Sequence, residues 1–166
     1  MNWFCQGRND FMEQASPQDF TGTWRLLEYS FHHEDGAVEH PWGDQVAGYL
    51  IYSPQGFMSA NLSPAHRSWR FRRARLKAEV PAADDQGKSR FVRRGVPRDY
   101  IAYSGRFQIE NDHIIHHVEV SLFSHWVGLP QVRHYQFSSN QLTLRTPPIN
   151  SGRDRVVAEL RWERVS

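Results

Sequence analysis

Apolar and polar residues alternate along most of this chain, in short runs separated by turn residues. The clearest run lies within Asp112 to Gly128. There Ile114, His116, Val118, Val120 and Leu122 share one face of an extended segment, and His117, Glu119, Ser121 and Phe123 share the other. Runs of the same kind predict strands over 20–31, 46–53, 57–62, 100–109, 113–123, 131–138, 141–146 and 155–165. Asp35-Gly36, Ser53-Pro54-Gln55-Gly56, Asn111-Asp112 and Ser139-Asn140 carry turn chemistry between them. The expected fold is all-β. Eight antiparallel strands joined mainly by short turns close most simply into a single up-and-down barrel, which leaves no free sheet edge.

Two segments break the rhythm. Residues 63–99, after the third strand, read as a helical or irregular insertion, with a helix over 68–80 and a loop over 81–88. Residues 1–19 form an N-terminal segment, a short helix or coil in which Asn9 or Asp10 is placed to cap a turn through Phe11 and Met12. The expected organisation is therefore that segment followed by one barrel domain over 20–166.

Composition narrows the function classes. A net charge of +2 is too small to predict a nucleic-acid partner for the chain as a whole. The insertion is an exception in detail: Arg67 to Arg98 holds 11 of the 20 Lys and Arg residues, and Arg67-Ser68-Trp69-Arg70-Phe71-Arg72-Arg73 interleaves aromatics with cations. That pattern keeps a weaker alternative open, a surface-binding module acting through the insertion. Cys5 is the only cysteine, which excludes an intrachain disulfide and a cysteine zinc site. The N-terminal residues lack the pattern of a signal peptide, and no run approaches the roughly 20 apolar residues of a membrane span. The expectation is a soluble cytoplasmic protein, with no feature that specifies an oligomeric state. Its 10 Phe, 6 Tyr and 6 Trp either fill a core or line a pocket.

Candidate chemistry centres on His117 and Glu119, two positions apart on one strand and so about 7 Å apart on one face. Facing inward, the pair would serve as general acid and base for an isomerisation or ring closure; facing outward, it would decorate the solvent side of a strand. Candidates to line the same interior are Tyr49, Ser59, Asn61, Tyr103, Phe107, Ser121, Trp126, Arg133 and Tyr135, a set suited to a flat or anionic ligand. No metal site is expected. His116 and His117 point to opposite faces, and His113 and His117, though on one face, stand too far apart to chelate one ion unaided. Neither a recognisable nucleophile triad nor a phosphate-cradling glycine loop occurs, and no cofactor is expected.

Phe20 and Gly22-Thr23-Trp24 resemble the G-x-W signature that opens the first strand of lipocalins. Gly48-Tyr49-Leu50-Ile51-Tyr52, Gly56-Phe57-Met58-Ser59-Ala60, Tyr103-Ser104-Gly105-Arg106-Phe107, His116 to Phe123, Trp126-Val127-Gly128, Leu142 to Pro148 and Trp162 to Val165 are similar to the small bacterial and fungal lipocalin-like domain family. The resemblance implies a closed barrel whose Trp24 plugs one end, with an arginine of the last strand packed across it; Arg161 is the residue expected there. It also favours His117 and Glu119 inside, whereas apolar alternation favours Val118 and Val120. The function it implies is binding of a hydrophobic or aromatic small molecule, such as a biosynthetic intermediate, or else cyclase or isomerase action on one. The basic stretch from Arg67 to Arg98 departs from the family pattern.

Overall fold

The computed structural model describes residues 15–66, 99–151 and 154–165. A four-residue helix, α1 (Pro17–Phe20), leads into β1 (Gly22–His33). The chain continues through β2 (Val38–Glu39), β3 (Val46–Tyr52), β4 (Phe57–Pro64), β5 (Ile101–Ile109) and β6 (His113–Ser121). A 3-10 turn (Ser124–Trp126) precedes β7 (Pro130–Ser138), β8 (Gln141–Arg145), β9 (Ile149–Ser151) and β10 (Asp154–Arg164). The eight long strands pair in the order β1-β3-β4-β5-β6-β7-β8-β10, every pair antiparallel, and β10 pairs back onto β1 to close the barrel. The expected all-β barrel is thus the fold, and each expected strand is present within a few residues of its place. The alternation did not reveal β2 and β9, two short strands that flank the ring. The expected helix over 68–80, the loop over 81–88 and the cap at Asn9 or Asp10 lie outside the described residues. Among the described residues no helix is long and apolar enough to cross a membrane.

Period-two alternation decides what faces inward. Leu50 and Tyr52 of β3 and Met58, Ala60 and Leu62 of β4 are buried, while Tyr49, Ile51, Ser59 and Asn61 between them face outward. One end of the barrel is sealed by aromatic rings. Phe20 meets Tyr52, Tyr135 and Phe137 edge-on at centroid distances of 5.6, 5.0 and 4.9 Å. Each such pair is worth roughly 0.5–1.5 kcal/mol beyond its burial.

Trp24 donates its indole N–H to the Phe20 carbonyl at 2.8 Å, and the Arg164 guanidinium lies 4.1 Å over its ring. Arg164 also donates to the carbonyls of Thr21, at 2.7 Å, and Asp19. Gly22 has φ +134°, a backbone conformation that favours glycine, and a Cβ there would stand 2.9 Å from the Arg164 guanidinium. The glycine, the tryptophan and Arg164 are therefore one structural unit. Arg161 is not part of it. It lies outward on β10 and pairs with Glu28 at 2.8 Å, because the buried Trp162 fixes the parity of the strand and places Arg164, not Arg161, on the inner side.

Two bulges interrupt the alternation. In β1 the register steps from Leu26 to Glu28 against β10, and in β6 it steps from Val118 to Val120 against β5. At the second step Glu119 is the extra residue. Ile114, His116 and Val118 are buried, Glu119 and Val120 are both exposed, and Ser121 turns back to stand opposite the buried Tyr103. Gly105 makes this possible. A Cβ on Gly105 would lie 1.9 Å from the His117 carbonyl oxygen, so the two strands approach more closely than any side chain allows.

Candidate functional site

Above the aromatic seal the barrel encloses a cavity of about 460 Å³, within the usual range for small-molecule sites. Its wall is mainly apolar, with Leu50, Ala60, Leu62, Leu144, Leu160 and Trp162 among its members. Trp126, carried on the 3-10 turn, contributes a second indole and meets the Tyr103 ring edge-on at 5.6 Å. The Trp162 indole nitrogen is buried and has no hydrogen-bond partner among the described residues. Tyr29 reaches the wall because the β1 bulge carries it inward, opposite Leu160. Burial, first, and the nearby Glu39 push its hydroxyl up to about 12, with Arg133 opposing.

The polar groups of the cavity converge on one side. Gln131 and Arg133 of β7 stand directly opposite His116 and Ile114 of β6, so all four share the inner face. Arg133 is 9% exposed and lines the cavity. Its guanidinium donates to the Val132 carbonyl at 2.7 Å and to the Gln131 amide oxygen at 3.5 Å, and no carboxylate pairs with it among the described residues. Burial raises the pKa of the Tyr103 hydroxyl, and the positive charge of the nearby Arg133 opposes that rise.

Behind Tyr103 sits His116, fully buried between two tyrosines. Its Nε2 is 2.7 Å from the Tyr52 hydroxyl and its Nδ1 is 2.9 Å from the Tyr103 hydroxyl. Burial, then the charges of Arg133 and His117, hold this imidazole well below the ordinary histidine range, so it is neutral at pH 7. Burial likewise holds the Tyr52 hydroxyl protonated. The arrangement can present hydrogen-bond donors and one positive charge to a ligand otherwise held by apolar contact.

The expected site residues separate into three groups. Tyr103, Trp126 and Arg133 line the cavity. Phe107 and Tyr135 point inward but belong to the aromatic seal: Phe107 packs on Tyr52 at 4.9 Å, and the Tyr135 hydroxyl donates to the Asn111 carbonyl at 3.0 Å. Ser121 accepts the Phe123 amide at 3.0 Å and so is committed to the backbone. Tyr49, Ser59 and Asn61 lie on the outer face, because the apolar residues beside them take the inner one.

His117 and Glu119 are also outside. Both are exposed, and the Glu119 carboxylate is 3.6 Å from Arg106 in a solvent-facing pair. The sequence left the inner face of this strand open; Ile114, His116 and Val118 are its buried members, which sends His117 outward, so the acid–base role considered for His117 and Glu119 inside the barrel is not available to them. His116 is the histidine that the sequence reading passed over. Its signal was its place among Ile114, Val118 and other apolar residues of one face.

A second group of side chains lies on the barrel's outer surface. His113 and His134 face each other across β6 and β7, and Asp112 reaches both, at 2.7 Å to His113 Nδ1 and 3.4 Å to His134 Nδ1. Their ligand atoms all lie within 4.8 Å of one another, the grouping among the described residues that could hold a metal ion. His134 was the missing partner in the sequence reading, since only strand register brings it to His113.

The profile of the lipocalin-like domain family matches residues 21–165, nearly the whole described barrel. No curated protein and no solved structure matches the chain. The chain belongs to the lipocalin-like domain family, whose fold is one that binds small molecules.

Proposed function

We propose that this protein binds a hydrophobic or aromatic small molecule, of the kind handled as a biosynthetic intermediate, in the cavity of its barrel. One observation carries the reading: an apolar cavity of about 460 Å³ that holds a small convergent set of polar groups on one side. Removing apolar ligand surface from water contributes about 25 cal/mol per Å². Trp126, Trp162 and Tyr103 add rings against which an aromatic ligand can stack.

An enzymatic reading, a cyclase or isomerase using His117 and Glu119, lacks support because both side chains are exposed on the outer surface. Binding without turnover is therefore the function proposed.

The test is titration with N-phenyl-1-naphthylamine, a neutral fluorescent arene. Saturable binding of one probe per chain is expected, and Ala60→Phe, which fills the wall from within, should weaken it at least tenfold with the far-ultraviolet circular dichroism unchanged. Binding that never saturates, or that ignores Ala60→Phe, would overturn the proposal.

A further inference from the structure

The hydrogen-bond chain behind the cavity has a direction that can be worked out. Among the described residues, the buried Tyr52 hydroxyl has a single hydrogen-bond partner, Nε2 of His116. A buried hydroxyl with one partner gives its proton to that partner, because an orphaned O–H costs more than an unused lone pair. Nε2 is then an acceptor. A neutral imidazole carries one N–H, which must be on Nδ1, and it donates to the Tyr103 hydroxyl oxygen at 2.9 Å. With that oxygen accepting from His116, the Tyr103 proton is not spent on His116 and is left for another acceptor, and Tyr103 lines the cavity.

Arg133 stands at the same place. It is a buried cation with amide acceptors and no carboxylate among the described residues, on the wall of a mainly apolar cavity. Burying a charge is costly unless a countercharge or several hydrogen bonds meet it. Two donors, one of them charged, therefore converge where none of the described residues supplies an anion.

We infer that this inner wall is a seat for the carboxylate of an otherwise apolar ligand, with Arg133 supplying the charge and Tyr103 a hydroxyl proton. Tyr52 and His116 act as positioning residues that fix which way the Tyr103 hydroxyl points. One guanidinium balances a single negative charge, and two carboxylate oxygens match a guanidinium fork or one guanidinium and one hydroxyl. The inference rests on the binding function proposed above and adds the ligand's chemical class.

The test displaces N-phenyl-1-naphthylamine with matched pairs: decanoate against methyl decanoate, and 6-phenylhexanoate against its methyl ester. In the wild-type protein each acid should displace the probe at a roughly 10- to 100-fold lower concentration than its ester, as expected of a charge-assisted hydrogen bond. Arg133→Met should abolish that preference, and Tyr103→Phe should reduce it, the acid-to-ester ratio being read within each variant against that variant's own affinity for the probe. Nitrogen-15 NMR of the His116 ring should show the proton on Nδ1, a signature that a merely structural histidine need not carry.

Acids and esters displacing equally would overturn the carboxylate seat and leave the binding function standing. A His116 proton found on Nε2 would overturn the assigned direction of the chain. Failure of the neutral probe itself to bind would remove the binding function, and the seat with it. The wild-type acid–ester comparison needs no variant, so a poorly folding Arg133→Met does not blunt the test.

Discussion

His116 shows how one residue's surroundings set its chemistry. Tyr52, Tyr103 and Arg133 face it from three other strands and His117 adjoins it on its own, and none of them is an acid that would favour a charged ring. Its folded pKa is depressed, so between that value and the unfolded value of about 6.5 the unfolded chain binds a proton that the folded chain does not. The stability linked to His116 is complete above about pH 6.5 and is lost as pH falls below it. Urea midpoints measured from pH 7.5 down to pH 5 should therefore decline, and His116→Gln should flatten that decline. An unchanged slope in the variant would show that His116 is not the group responsible.

At the same scale, only part of the cavity wall was open to sequence reading: Tyr103, Trp126 and Arg133 line it, and the other residues expected there do not. The side taken by His117 and Glu119 was not legible, because a pattern of single residues leaves the inner face of a strand undecided until its neighbours fix it.

Strands were the most legible level. Most of the eight long strands have an inner face that is mainly apolar, and that periodicity survives in the sequence without knowledge of partners. Bulges were not legible, because they belong to pairs of strands. The step in β6 exists only against β5, and it splits the face on which Val118 and Val120 appear together in the sequence. Gly105→Ala tests this pairing directly. Its Cβ would collide with the His117 carbonyl, so the strands must separate, and a loss of about 2–3 kcal/mol in chemical denaturation is expected. A change under about 0.5 kcal/mol would mean that the bulge yields easily.

The junction of α1, β1 and β10 makes a comparable claim. Arg164→Ala removes the cation over Trp24 and two hydrogen bonds to backbone carbonyls, and a loss of about 2 kcal/mol is expected. Arg161→Ala, which removes a solvent-facing pair with Glu28, should cost under about 1 kcal/mol. Equal losses in the two variants would contradict the assignment of Arg164 to the seal.

For the molecule as a whole, closure of β1 on β10 makes the barrel one hydrogen-bonded ring around both seal and cavity. A ligand held inside binds the folded state alone and should raise the melting temperature, by a stabilisation of about 2.7 kcal/mol at 100 times its dissociation constant. A probe that binds saturably but leaves the melting temperature unchanged would be sitting on the outside of the barrel.

Two of the cavity's walls are indoles, those of Trp126 and Trp162, whereas Trp24 is held in the seal beneath Arg164. The protein consequently carries its own optical gauge of occupancy. Of its six tryptophans, a guest entering the barrel changes the polarity around these two and leaves Trp24 unaffected beside them. Filling should therefore appear as a shift in part of the tryptophan emission, without any label.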